Sequence, residues 1–176
     1  MKLFSLSFFL LLASFSYSQM PAQKVRYDSL IKQGLDNFHQ KKLSEATAIF
    51  ESAIQLDSTR PDGYYGLGVV KSTSCFYDSL NCQEAQTLLM KASSIQPGYK
   101  RVYYNLSICK SKTGDYQAEL DYLNRAIEQD PGDSDYFHNR GMVKLRLGNK
   151  RGACEDFTKA AGMGNERSKH FVVDCK

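Results

Sequence analysis

The sequence predicts an all-α protein, a solenoid of four helical hairpins closed by one further helix at the C-terminus. Three sets of residues carry this reading. Small residues recur at Gly34, Gly68, Ser107 and Gly141, mostly 34 residues apart. The alanines Ala53, Ala92, Ala126 and Ala160 follow them, in three of the four units at a distance of 19 residues. Ser58, Pro97, Pro131 and Asn165 follow the alanines, always after five residues. A fixed period of this length marks a stacked repeat, in which each unit buries its apolar face on its neighbour.

Taken in order, residues 1–18 read as an export leader that is not part of the folded protein. Lys2 gives a positive start, the run from Leu3 to Ala13 is uncharged and rich in Leu and Phe, and Ser16-Tyr17-Ser18 has small residues at both ends, as a cleavage site before Gln19 requires. The apolar run is shorter than the roughly 18–20 residues that span a bilayer. Retention as an N-terminal anchor is the alternative. Residues 19–26 form a short polar lead-in.

The first unit is placed at 27–60, the second at 61–99, the third at 100–133 and the fourth at 134–165. In each, a large apolar residue stands three positions before the alanine: Phe50, Leu89, Leu123 and Phe157. Four positions earlier come Ala46, Ala85, Glu119 and Ala153. Offsets of three and four put these columns on one helix face. Small residues on the first helix and alanines on the second let the two approach, and the large side chains fill what is left. Pro97 and Pro131 cannot continue a helix, and Asp57-Ser58 offers a cap to the next one. Helices of this length are marginal alone and need the stack.

Two departures stand out. Glu119 replaces the alanine of its column, which predicts looser packing in the third unit. Gly68 and Ala92 are 24 residues apart, so five extra residues fall between the helices of the second unit, within residues 72–82, as a long loop around Phe76 and Tyr77. Residues 166–176 read as a capping helix with Phe171, Val172 and Cys175 on its apolar face.

The five cysteines are Cys75, Cys82, Cys109, Cys154 and Cys175. Their number is odd, so at least one thiol is free or pairs between chains. With the last turn near residues 162–164, Cys154 and Cys175 fall at nearly the same height on an antiparallel pair, which suits a disulfide; two buried thiols are the alternative. Cys75 and Cys82 could close a second bridge across the loop, leaving Cys109 as a buried thiol.

Chemistry is sparse. The three histidines, His39, His138 and His170, do not pair at ligand spacing, and the chain has no phosphate loop, nucleophile elbow, Cys-x-x-Cys or haem-attachment string. No catalytic, cofactor or metal site is assigned. The formal charge of +4 includes Lys2 and is spread without a basic stripe, which argues against a nucleic-acid partner. No apolar stretch after Ala22 is long enough for a membrane span.

The pattern resembles the tetratricopeptide repeat family over about residues 27–165. The fourth unit carries it most fully, with Asn139-Arg140-Gly141, Leu147-Gly148, Ala153, Asp156-Phe157 and Ala160 at the family spacing. The resemblance implies a right-handed superhelix whose first helices line a concave groove that binds a protein or peptide. By register that groove takes Ile31, Lys32 and Leu35, then Tyr65 and Val69, then Arg101, Tyr104, Asn105 and Ile108, then His138, Asn139 and Met142. Tyr65, Arg101, Tyr104, Asn105, His138 and Asn139 are the candidate partner-binding residues, the asparagines as donors and acceptors to a peptide backbone. The clamp by which some members hold a chaperone's terminal carboxylate is not matched. Ile31 and Leu35 stand where it needs Lys and Asn, and Asp135 has the wrong sign. The function implied is a non-enzymatic interaction module outside the cytoplasm, secreted or periplasmic. A structural subunit or adaptor of a cell-envelope assembly is the alternative.

Overall fold

A computed structural model describes residues 5–75, 79–99, 101–173 and 175. All regular structure among them is helical: α1 (Ser5–His39), α2 (Leu43–Leu56), α3 (Pro61–Ser74), α4 (Ser79–Ile95), α5 (Val102–Thr113), α6 (Tyr116–Gln129), α7 (Ser134–Arg146), α8 (Lys150–Gly162) and α9 (Glu166–Val173). Consecutive helices pack against each other from α1 to α9, the arrangement of a solenoid. Among the described residues no helix is long and apolar enough to cross a membrane. Residues 19–26, the polar lead-in of the sequence, lie within α1, and Gln23 Nε2 donates to Leu56 O at 2.8 Å.

Local chemistry sets the boundaries. Pro61 opens α3, where its missing N–H costs nothing. The side chains of Asp115, Asp133 and Asn149 cap α6, α7 and α8 by accepting from Ala118 N, Asp135 N and Gly152 N. Between the helices of the fourth hairpin the chain turns through Gly148 at a φ of 79°; in the first hairpin Lys41 takes the left-handed region at 62°.

The periodic columns form the core. Phe50, Leu89, Leu123 and Phe157 are buried, as are Ala46, Ala85, Ala153 and the four alanines Ala53, Ala92, Ala126 and Ala160. A Cβ at Gly34 would stand 2.6 Å from the Phe50 ring, and one at Gly141 would stand 2.7 Å from that of Phe157, so side chains larger than hydrogen are shut out at these helix contacts. Ser107 fits the same column by folding its hydroxyl back onto Tyr104 O at 2.7 Å.

Two expectations are corrected. The third unit is not loosened by Glu119. That side chain is 6% exposed, and Leu123 and Ala126 beside it are as buried as their counterparts. Its carboxylate pairs with Arg146 of the next unit at 3.5 Å. The five extra residues of the second unit do not make a long loop either. They lengthen helices, α4 running to 17 residues where α6 has 14 and α8 has 13. Phe76 and Tyr77 lie outside the described residues. Cys75 and Cys82 face each other across this junction with a Cα–Cα separation of 4.8 Å, and Cys154 and Cys175 stand 5.6 Å apart, both within disulfide range. Cys109 is buried and free, and burial pushes its thiol up to about 11.

The junctions between hairpins share a polar link that the periodic columns did not reveal. Asp28, Asp62, Arg101 and Asp135 each stand six residues before the small residue of their unit. Each bonds a residue eight before the small residue of the next unit: Asp28 with Arg60 at 2.7 Å, Asp62 with Tyr99 at 2.9 Å, Arg101 with Asp133 at 2.7 Å and Asp135 with Arg167 at 2.7 Å. The last case places α9 in the position of a further first helix, with Cys175 at the small-residue position.

Candidate peptide-binding groove

The inner face is built from α1, α3, α5 and α7. Tyr65 and Tyr104 hold the same place on α3 and α5, and each is tied to the next unit. Asn105 Nδ2 donates to Tyr65 Oη at 3.2 Å, and Asn139 Nδ2 donates to Tyr104 Oη at 3.3 Å. The same amides donate to Arg101 O at 2.9 Å and Asp135 O at 2.8 Å, one turn back on their own helices. The asparagine donors are therefore spent on orienting tyrosines. The two residues position the face, and Asn105 is only 8% exposed. Burial raises the pKa of both tyrosines; the Asn105 bond works against it at Tyr65, while the Asp135 carboxylate adds to it at Tyr104. Both phenols stay neutral hydrogen-bonding groups at physiological pH.

The tyrosine rings are held from the side as well. Tyr65 packs on Tyr99 and Tyr104 on Tyr136, each at 5.1 Å between centroids. Tyr103, next in sequence, turns away and stacks on Tyr122 of its own hairpin. Arg101 begins α5 in the left-handed region with a φ of 62°, a conformation that a long side chain adopts only where its surroundings hold it. Its guanidinium donates to Tyr136 Oη at 3.4 Å and to Asp133 at 2.7 Å and lies 5.5 Å from the Tyr104 ring centre. The Tyr136 bond, with Asp133 behind it, outweighs partial burial and raises the arginine's pKa.

Two hollows adjoin along this face and share Tyr104. The first, of about 250 Å³, lies among Leu35, Phe38, Phe50, Tyr65, Val69 and Tyr104, with Arg101, Asn105 and His39 also lining it. The second, of about 310 Å³, is more polar and is lined by Ser111, Lys112, Glu119, Asn139 and Arg146 beside Ile108 and Met142. Burial pushes the Glu119 carboxyl up, with Ser111 and Arg146 opposing. A larger hollow of about 660 Å³ shares Arg101 with the first and opens beside Gly98, Gln129, Asp130, Asp133 and Tyr136.

Most of the residues assigned by register reach these hollows, with three exceptions. Ile31 packs into the core with Ala46, Phe50, Leu67 and Val70, and Lys32 is exposed without lining either hollow. His138 borders the second hollow but is 6% exposed, because α9 lies over it. Its Nδ1 is 2.8 Å from Ser168 Oγ and its ring meets Phe157 and Phe171. Burial, with Arg167 nearby, holds its pKa below the ordinary imidazole value. Phe38, Phe50, Ser111 and Arg146 were not assigned to the face from sequence, because they enter from helix ends and from the second helix of a hairpin.

Stacked helical hairpins with an inner face of this kind define a repeat solenoid of the interaction-scaffold class. Residues 100–133 match the family model of the tetratricopeptide repeat. Over 120 residues the chain is 24% identical to Superkiller protein 3 of Saccharomyces cerevisiae; the match covers 68% of this chain but spans only 8% of that protein. Among solved structures it resembles MamA from Desulfovibrio magneticus RS-1, with a TM-score of 0.66, 21% identity and 81% and 76% of the two chains covered. It also resembles PilF of Pseudomonas aeruginosa, with a TM-score of 0.70, 22% identity and 81% and 63% covered. At these identities the likeness is one of fold.

Proposed function

We propose that the protein is a non-enzymatic interaction module that works outside the cytoplasm, carried there by residues 1–18, and that it holds an extended peptide or a protein surface against its inner face. The observation that carries the reading is the pair of adjoining hollows around Tyr65 and Tyr104, whose rings are held in place by asparagines of the following units. Rigid, oriented tyrosines give large contact area at little entropic cost. The perturbed groups here serve packing: Glu119 pairs with Arg146, and His138 meets Ser168 under the cap. Two cysteine pairs at disulfide distance suit an oxidising compartment.

The test is to replace Tyr65 and Tyr104 together by Ala and measure capture of partners from the native compartment. Binding should weaken while helical circular dichroism is unchanged. Undiminished binding would move recognition off this face. A stoichiometric partner that survives high salt and does not depend on the tyrosines would favour a structural subunit instead.

A further inference from the structure

We infer that α9 is a redox-held strap over the inner face, and that a dithiol reductant, by opening the Cys154–Cys175 disulfide, releases it and uncovers His138. That this release gates a partner rests on the groove reading above. One column of the repeat shows what is covered. Tyr65, Tyr104 and His138 each stand three residues before the small residue of their unit. The two tyrosines line the inner hollows and are only partly buried, whereas His138 is buried. What hides it is α9. Ser168 Oγ lies 2.8 Å from His138 Nδ1, and the Phe171 ring meets the imidazole at 5.8 Å between centroids.

The two ends of α9 are fastened differently. At its start Asn165 Nδ2 donates to Asp135 at 2.9 Å, Asn165 Oδ1 accepts from Ser168 N at 3.1 Å, and Arg167 pairs with Asp135 at 2.7 Å. In the turn before it, a Cβ at Gly162 or Gly164 would meet nothing within 4 Å, and Gly164 takes a φ of 90°. That end is a pivot with room to turn. Toward the far end Phe171 and Val172 are half-buried and Val173 is exposed. The covalent link from Cys175 to Cys154 on α8 is the catch.

Access separates this cysteine pair from the other. Cys75 and Cys82 are 5% and 1% exposed, whereas Cys154 and Cys175 are both half-buried. Exchange requires a thiolate to reach a sulfur, so access selects Cys154–Cys175. One thiolate of the dithiol attacks a sulfur of the bridge and forms a mixed disulfide, which the second thiol then displaces. The protein's S–S bond becomes two thiols, the dithiol becomes a disulfide, and two electrons and two protons pass to the protein. With the catch open, α9 keeps its ring contacts, the Ser168 bond and a mostly exposed ion pair. Eight residues so held open and reclose far more often than the linked helix. In the open state the column of Tyr65 and Tyr104 continues through the His138 imidazole.

The experiment uses the purified full chain, oxidised and after graded treatment with dithiothreitol. Differential alkylation with peptide mapping should find Cys154 and Cys175 reduced while Cys75 and Cys82 stay linked. At that point amide exchange across α9 should rise about tenfold or more, with α1 to α6 unchanged. Diethyl pyrocarbonate should begin to acylate His138, while the exposed His39 and His170 react alike in both states. Cys154→Ser with Cys175→Ser should match the reduced protein with or without dithiothreitol. Three results overturn the inference: Cys154 and Cys175 recovered as thiols from untreated protein, reduction of Cys75–Cys82 first, or an unreactive His138 once Cys154 and Cys175 are thiols. Loss of protection throughout the solenoid on reduction does so too, since the bridge then holds the whole fold. These readouts need no partner. If Tyr65→Ala with Tyr104→Ala leaves binding intact, the groove reading falls and the release of α9 stands.

Discussion

Helix α9 is eight residues long, too short to hold helical structure in water by itself. Its order must come from what fastens it. Phe171 stacks on Phe157 at 4.5 Å between centroids, Arg167 pairs with Asp135 at 2.7 Å, and the Cys154–Cys175 pair ties its far end to α8. The aromatic contact contributes on the order of 1 kcal/mol beyond burial. The ion pair is mostly exposed and adds little. Closing a loop of 21 residues removes chain entropy from the unlinked state equivalent to about 3 kcal/mol. The disulfide is therefore the largest of the three, and its loss should fray α9 before it unfolds the solenoid.

Replacing Cys154 and Cys175 together by Ala should cost about 3 kcal/mol in denaturant melts, or appear as an early transition confined to the cap. His138 gives a local readout by NMR. Burial under α9 now lowers its pKa, so release of the helix should bring it up toward the ordinary value near 6.5. The sign of the pH effect follows. The undocked state binds a proton more readily, so cap docking carries no penalty above about 6.5 and weakens as pH falls through that value toward the depressed one. An unchanged melting midpoint together with an unchanged His138 titration would refute this account. Recovery of both cysteines as alkylatable thiols from exported protein would remove the bridge from it.

Other perturbations test the packing. Ala126 is buried where α6 meets its neighbours, so Ala126→Leu should cost about 1–3 kcal/mol by overpacking, against almost nothing for Lys91→Leu on the exposed face, both read from denaturant midpoints. Asp156 is buried between Arg140 and Lys144, with contacts of 2.7 and 2.8 Å, and Asp156→Asn should cost about 3 kcal/mol; Asp28→Asn, which breaks a half-exposed junction pair, should cost under about 1 kcal/mol. Tyr27 Oη accepts from Gly63 N at 2.9 Å inside the first junction, so Tyr27→Phe should cost about 1–3 kcal/mol by stranding that N–H, with faster hydrogen exchange at Gly63 as the local sign.

The architecture was legible because the columns that define it are steric. Gly34 and Gly141 admit no Cβ against a phenylalanine ring, and such a demand leaves its residue type in the sequence at a fixed offset. The junction links left no such mark. Asp62–Tyr99 and Arg101–Asp133 serve the same purpose as Asp28–Arg60 with the signs reversed or one charge missing, so a search for recurring residue types passes over them. Glu119 misled for a related reason. A carboxylate in an alanine column reads as a defect until Arg146, on the first helix of the next unit, is seen to meet it. The extra residues of the second unit could be counted from sequence, but whether they form loop or helix depends on packing.

The residues two and three positions before each small residue shape the inner face. In the third and fourth units an asparagine bonds the preceding tyrosine and closes the space between neighbouring helices. In the second, Gly66 stands at that position, and the Phe50 ring takes the place of a side chain there. In the fourth, His138 stands where Tyr65 and Tyr104 stand in theirs, and α9, as the next first helix, covers it. One repeated scaffold thus gives a hollow among α1, α3 and α5 and a covered face at α7 through the identity of one or two side chains per unit. Because those side chains sit on the first helices and carry little of the hairpin core, they can vary while Phe50, Leu89, Leu123 and Phe157 keep the units stacked. The inner face and the hairpin core are therefore written in adjacent but separate columns, and Gly66 is the exception. There the absent Cβ serves the close approach of Phe50 to α3 on the inner face, so a larger residue should damage packing and be read as a lowered denaturant midpoint.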